Sequence, residues 1–364
     1  MKKQKEPVDR LRLRGRGSQI NTDNPFLNKR TEKIDDAMMS WHLDEFEEEE
    51  AVVRTKLIDI FPKTVLSKND SPDIPFDYSI NPYNGCEHGC TYCYARNSHE
   101  YWGYSAGLDF EQKILVKRNA PQLLEQELKK RNHQSQMIVM SGNTDCYQPA
   151  ERQLQLTRQC LEVFLKHKHP VGVITKNALI LRDIDILDEL NKFNLLRVTL
   201  SITTLNESLR QLMEPRTSSV KQRLKALELL AQRNIPVHVN MAPIIPGLNS
   251  DEIFDLIKTV GELGALDASY ILLRLNGRVA MIFEDWVRRT FPDRADKVLM
   301  LIKQTHAGSL SESEFKKRMR GEGPYAEQVA RMFKIAKSKF IHLKQFPEID
   351  YQLFRSEGRQ ISLF

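Results

Sequence analysis

The chain has 364 residues, 41% of them apolar and 28% charged, with a formal net charge of +6. That is the balance of an ordinary globular protein, long enough for one large core with appendages. No apolar run approaches the ~18 residues that a membrane span needs. The basic start "MKKQKEPVDRLRLRGRG" lacks the apolar stretch of a secretory signal, so no membrane partner and a cytoplasmic location are expected.

Residues 1–74 lack sustained periodicity and carry blocks of mixed charge, which predicts a partly disordered N-terminal arm. Its "RLRLRGR", residues 10–16, is basic enough to lie on phosphates, although a solvated tail explains it as well. The acidic run Glu47–Glu50 would repel nucleic acid locally. From residue 75 onward short β-rich runs alternate with amphipathic helical stretches. Strands are predicted over residues 77–82, 137–142, 171–175, 196–202, 237–242 and 269–275. Pro121 marks a helix start, and Leu156, Cys160, Val163, Phe164 and His167 share one helical face. Ser250 reads as the N-cap of another helix, with acidic residues in its first turn.

Near-continuous apolar strands alternating with helices predict a parallel sheet with right-handed crossovers. Six units are fewer than the eight of a closed barrel. The expected fold is therefore α/β, a partial (β/α)6 TIM-like barrel over residues 75–282, with a doubly wound sheet fitting almost as well. Residues 283–364 carry helical patterns alone and read as a C-terminal helical extension.

Three of the five cysteines, Cys86, Cys90 and Cys93, lie in "NPYNGCEHGCTYCYAR". An odd, clustered set argues for metal or redox chemistry over a disulfide framework. Cys-x3-Cys-x2-Cys brings three thiolates to one face and leaves one metal corner open to a ligand. Gly85 and Gly89 would let the backbone turn and approach inorganic sulfide. The alternative is a closed zinc site with His88 or His99 as fourth ligand. The loop follows the first strand of a β/α series, where sites in such folds collect, and that weighs against zinc.

Cys86, Cys90 and Cys93, with Tyr92 before the last of them, resemble the signature of the radical S-adenosylmethionine superfamily. The resemblance implies a [4Fe–4S] cluster held by the three cysteines. S-adenosylmethionine would chelate its fourth iron and, on receiving one electron, yield a 5′-deoxyadenosyl radical that abstracts hydrogen from substrate. It further implies an external one-electron donor of flavodoxin or ferredoxin type. Within the superfamily, "NTD" (143–145), "TK" (175–176), Ser201 and "EPRTSS" (214–219) resemble spore photoproduct lyase and its DNA-repair-photolyase-like relatives.

That resemblance covers about residues 75–280 and assigns roles by position. Lys176 would pair with the cofactor carboxylate, Ser201 would hydrogen-bond the ribose, and Asn143, Thr144 and Asp145 would lie near the methionine amino group. Arg216 would meet a carboxylate of cofactor or substrate, and "APIIPGLNSDE" (242–252) would cradle adenine. Ordinary structural roles compete: Asp145 as a helix cap, Arg216 as partner of Glu214. One departure matters. Where the lyase has a hydrogen-donating cysteine this chain has Gly142, and Cys146 follows instead, either as a relocated donor or as a small buried residue. Cys160 reads as core. Tyr94, Tyr101, Trp102 and Tyr104, with Arg96, would stack on a base, line a cofactor pocket or simply pack.

The function expected is that of a radical S-adenosylmethionine enzyme acting on an unidentified substrate, nucleic acid before others. The alternative is a zinc-stapled nucleic-acid-binding protein without catalysis.

Overall fold

The computed structural model describes residues 13–27, 54–341 and 345–354. Its strands are β1 Lys56–Ile60, β2 Leu66–Lys68, β3 Tyr78–Ile80, β4 Tyr83–Asn84, β5 Lys113–Lys117, β6 Ile138–Met140, β7 Val171–Thr175, β8 Leu196–Ser201, β9 Val237–Ile244 and β10 Asp267–Leu272. The valine- and isoleucine-rich strands β6 and β7 are buried on both faces, as a parallel sheet covered by helices requires. All six predicted strands are present, and they pair in parallel in the order β10-β9-β8-β7-β6-β3. The order follows the chain in one direction without the reversal of a doubly wound sheet, so the fold is the partial barrel. Strand β2 adds an antiparallel edge beside β3.

Crossover helices Ala120–Leu128, Leu156–Lys166, Ile184–Lys192, Val220–Gln232 and Ile253–Glu262 cover the outside. Pro121 stands in the first turn of the first, and Leu156, Cys160, Leu161 and Phe164 form the buried face of the second. Ser250 is not an N-cap: it opens a short 3-10 turn, and its hydroxyl bonds Gly247 N at 3.2 Å and Tyr325 Oη at 2.8 Å.

Helix Pro324–Phe340 takes the place of a sixth crossover helix. Ala326, Val329, Phe333 and Ala336 join the main core, and a Cβ on Gly261 would lie 2.3 Å from the Phe340 carbonyl oxygen. Helices Val279–Thr290 and Ala295–Gln304 form a second apolar cluster with Cys90, Tyr92, Leu209 and Met213, directly behind the cysteine loop. A small second sheet, β1-β5-β4, was not legible in the sequence; β1 lies in the predicted arm and pairs in parallel with β5. Its burial is too shallow to produce an apolar pattern.

Residues 13–27 pack against the body. The Arg16 guanidinium is buried and bonds the Glu111 carbonyl at 2.7 Å, so this arginine is no part of a solvated tail. Residues 1–12 and 28–53, including Glu47–Glu50, lie outside the described residues. No helix among the described residues is long and apolar enough to cross a membrane.

Candidate functional site

The cysteine loop leaves β4 and is pinned from several directions. Cys86 N donates to Phe110 O at 2.9 Å, Glu87 N to Gln148 Oε1 at 2.9 Å, and Thr91 N to Met213 O at 3.0 Å. The Cys90 carbonyl accepts from Arg96 Nε at 2.9 Å. Gly85 and Gly89 have φ of +80° and +67°, which favours glycine. A Cβ on Gly89 would lie 2.8 Å from a Glu111 carboxylate oxygen. The glycines thus serve the turn of the loop and its packing on its support.

Glu111 is the centre of that support. Its carboxylate accepts Gly17 N at 3.0 Å, Ser18 N at 2.8 Å and Arg96 Nη2 at 2.5 Å. Arg96 is wholly buried, which removes it from the set expected to stack on a base. Gly17 lies so close to the loop that a Cβ there would sit 1.7 Å from the Gly89 carbonyl oxygen.

Cys86 and Cys90 are buried and Cys93 is half-buried. Burial pushes the Cys86 thiol far up, with the charges of Asp145, Cys90 and Cys93 adding to the effect. The thiols are therefore within electrostatic reach of one another, and all three as thiolates need positive charge between them. Among the described residues no three His, Cys, Asp or Glu groups converge on one point as ligands of a single ion. Three thiolates on one loop suit a cubane, where each takes a different iron. The proposed fourth zinc ligands are engaged elsewhere or enclosed. His88 contacts Asp145 Oδ2 at 3.4 Å and Asn177 Nδ2 at 3.2 Å. His99 lies between Tyr104 and Phe110 with neither ring nitrogen hydrogen-bonded among the described residues, and burial lowers its pKa to about 4.

Beside the loop is a polar set from β7, β8 and the segment after it. Glu214, wholly buried, accepts from Tyr92 Oη, Arg223 Nη2 and, at 2.7 Å, Thr203 Oγ1. Burial alone would raise its pKa, but Arg223, Lys176 and Tyr92 hold it down at about 2. Arg223 also donates to the Ser201 carbonyl at 3.2 Å, fixing the end of β8. The Lys176 ammonium stands 5.9 Å over the Tyr92 ring and makes no hydrogen bond or ion pair among the described residues. Burial opposes its charge, yet Cys90, Glu214 and Cys93 outweigh burial and raise its pKa. A charged, half-buried ammonium with unused donors beside the cysteines can take a carboxylate.

The other predicted residues divide sharply. Ser201 is buried at the end of β8, its hydroxyl without a hydrogen-bond partner among the described residues. Asp145 is saturated: it accepts Thr175 Oγ1 at 2.8 Å, Lys176 N at 2.8 Å and Tyr147 N at 2.9 Å. Its pKa falls to about 2 despite burial, with His88 the main cause. It staples the ends of β6 and β7 to the cysteine loop and caps no helix. Thr144 Oγ1 is spent on Tyr83 O at 2.5 Å. Asn143 binds Asn81 Oδ1 through its backbone at 2.9 Å and Ser98 Oγ through Nδ2 at 3.0 Å, leaving its own Oδ1 to offer.

Arg216 does not meet Glu214. It pairs with Glu87 at 3.2 Å and with Thr55 Oγ1 at 3.2 Å, and Arg223 is the partner of Glu214. The signal for Arg223 was its place in the first turn of a helix with a capping box, Ser219 and Gln222, which turns that residue back over the segment before it.

Cys146 does not reach the barrel rim. It is wholly buried in the main core, with its N–H on Ser141 Oγ at 2.8 Å and its carbonyl on Thr157 Oγ1 at 2.6 Å. Nor does position 142 have room for a side chain: a Cβ on Gly142 would lie 2.5 Å from Ser79 Cβ. Instead Tyr94 Oη donates to the Gly142 carbonyl at 2.8 Å. Buried Asn249 holds the 242–252 turn, bonding Ile245 N at 2.6 Å and Thr203 O at 2.8 Å.

Comparison with known proteins agrees with this geometry. The sequence profile of the Radical SAM superfamily matches residues 80–260. An uncharacterised protein of Methanocaldococcus jannaschii is 30% identical over 216 residues, 59% of this chain and 77% of that one. One of Mycobacterium tuberculosis is 28% identical over 238 residues, 65% of this chain and 70% of that one. In fold the chain is similar to spore photoproduct lyase complexed with dinucleoside spore photoproduct, with TM-score 0.59 and 17% identity over 79% of this chain and 80% of that one. A mutant of that lyase with bound AdoMet and dinucleoside spore photoproduct superposes with TM-score 0.58, at the same identity and coverage. The chain belongs to the radical S-adenosylmethionine superfamily, whose cofactors are a [4Fe–4S] cluster and S-adenosylmethionine.

Proposed function

We propose that the protein is a radical S-adenosylmethionine enzyme that abstracts hydrogen from a nucleic-acid substrate, with Cys86, Cys90 and Cys93 holding the cluster. The observation that carries the reading is the Lys176 ammonium, charged and with no hydrogen bond or ion pair among the described residues, beside Cys90 and Cys93 on the barrel rim. When bound, the cluster and S-adenosylmethionine supply reductive cleavage to a 5′-deoxyadenosyl radical.

The chain's own residues bind and orient. Lys176 takes the cofactor carboxylate, the Ser201 hydroxyl meets the ribose, and Asn143 Oδ1 accepts from the methionine amino group. Glu214 and Arg223 set the position of Tyr92 and the end of β8, and helices Val279–Thr290 and Ala295–Gln304 exclude water behind the loop. The nucleic-acid preference rests on fold likeness to a lyase bound to a dinucleoside lesion. An external one-electron donor and a reducing, cytoplasmic setting suit a chain whose five cysteines are all free.

Anaerobic reconstitution tests the reading. About four irons per chain and conversion of S-adenosylmethionine to 5′-deoxyadenosine, measured with and without ultraviolet-damaged DNA, are expected. Stoichiometric zinc with no iron uptake and no cleavage would return the protein to the zinc-stapled alternative.

A further inference from the structure

Arg274 lies two positions past the last residue of β10, Leu272, and so at the end of the barrel where the cysteine loop sits. Leu273 N on Ile244 O at 2.9 Å and Leu275 N on Leu310 O at 3.0 Å fix the backbone on either side. Leu273 and Leu275 point into the apolar cluster behind the loop, which turns the Arg274 side chain to the opposite face. There its electrostatic neighbours are Arg318, Tyr94 and Asp73. The Asp73 carboxylate is already committed, to Arg318 Nε at 2.5 Å and Lys316 N at 2.7 Å. Arg274 itself is half-buried and makes no hydrogen bond or ion pair among the described residues. Burial first, and Arg318 second, lower its pKa from the usual value. A desolvated guanidinium beside a second one, with the neighbouring carboxylate already bound to that second one, is costly unless a further anion arrives.

The surroundings suggest which anion. The 3-10 segment Tyr94–Trp102 runs out from the cysteine loop, and Asn97 locks it to the Arg274 loop through Asn276 O at 2.9 Å and Arg278 N at 3.1 Å. Tyr94 and Tyr101 are exposed on this segment, and Tyr101 packs on Phe26 at 4.8 Å between ring centroids, the rings tilted by 30°. Arg278 reaches back to Glu100 at 3.6 Å. A cation at one end and open aromatic rings at the other form the pattern on which a single strand of nucleic acid binds, phosphate on guanidinium and base on ring.

We propose that Arg274 binds a phosphate of a single-stranded nucleic acid laid along Tyr94–Trp102, with a base stacked on the Tyr101–Phe26 pair. This rests on the nucleic-acid reading above and adds a site to it.

The test is binding of a fluorescein-labelled oligothymidylate of about ten nucleotides to the full-length reconstituted protein with S-adenosylmethionine, followed by anisotropy at several salt concentrations. Arg274→Gln is expected to weaken binding about tenfold and to lower the salt slope by about one. Arg274→Lys should restore most of the slope, and Tyr101→Ala, at an exposed position, should weaken binding about fivefold or more. Arg331→Gln, on the outer helix Pro324–Phe340, should change nothing. Unchanged affinity in both Arg274→Gln and Tyr101→Ala overturns the proposal. So does competition by inorganic phosphate as effective as that by unlabelled oligonucleotide. A parent protein that binds through Arg274 but cleaves no S-adenosylmethionine sinks the enzymatic reading and upholds the site. One that cleaves the cofactor but ignores the oligonucleotide does the reverse.

Discussion

Arg96 and Glu111 form an ion pair from which water is excluded on both sides: Nη2 and Oε1 are 2.5 Å apart and neither side chain has exposed surface. Arg96 is also the donor to the Cys90 carbonyl. Glu111→Gln would leave a buried guanidinium with its charge uncompensated, a defect that costs about 3–5 kcal/mol. A fall in Tm is expected, together with lower iron content after reconstitution. A variant that melts with the parent and loads iron fully would refute this role for Glu111.

Gly17 makes a sharper probe because its effect is steric. Gly17→Ala must push residues 16–18 off Gly89, and the cysteine loop with them. The expected outcome is faster loss of the cluster's visible absorbance in air. Gly15→Asn is the control: position 15 has open space and a φ of +70°, which asparagine tolerates. Deleting residues 1–30 would strip the same contacts, so any loss of DNA binding after that deletion must be read alongside iron content.

Lys176→Gln removes the ammonium while keeping much of the side chain's length. Hydrogen bonds to charged groups are worth about 1.5–3 kcal/mol. Calorimetric titration of the reconstituted protein should show affinity for S-adenosylmethionine reduced about 10- to 100-fold, with iron content preserved. Undiminished affinity would take Lys176 out of the cofactor site.

Cys146 and Cys160 are both wholly buried in the main core. Cys146→Ala should therefore behave as a core truncation, costing about 1 kcal/mol with cofactor cleavage intact. A variant of normal stability whose substrate radical is no longer quenched would bring the hydrogen-donor role back.

His169 stands far from this chemistry, with Nε2 3.0 Å from His133 Nε2 and its ring against Phe354 at 4.9 Å. Burial, then the charges of His133 and His167, lower its pKa to about 3, with only its bond to the Pro170 carbonyl opposing them. A lowered histidine pKa means that the unfolded chain binds the proton first. Stability is therefore full above about pH 6.5 and declines as pH falls toward 3, by about 2 kcal/mol between pH 6.5 and 5 for this group. Urea midpoints at pH 7 and pH 5 should differ less in His169→Gln than in the parent.

The strands were readable because parallel strands buried on both faces show as apolar runs, as in Val171–Thr175. The cysteine loop was readable because its ligands are adjacent in sequence. What escaped was carried by contacts between distant residues. Glu111 meets Gly17 across 94 positions, and no local pattern reports that. Arg216 and Arg223 lie close together in sequence, yet one faces Glu87 and the other Glu214. The same holds at Cys146, next to a rim residue in sequence but turned into the core.

The Glu111 contacts also bear on how the protein is made. A chain synthesised from its N-terminus has Gly17, Ser18 and all three loop cysteines in hand before the carboxylate that gathers them exists. Gln148, Met213 and the helices behind the loop come later still. The support of the loop is therefore complete only when segments from both sides of it in sequence have come together.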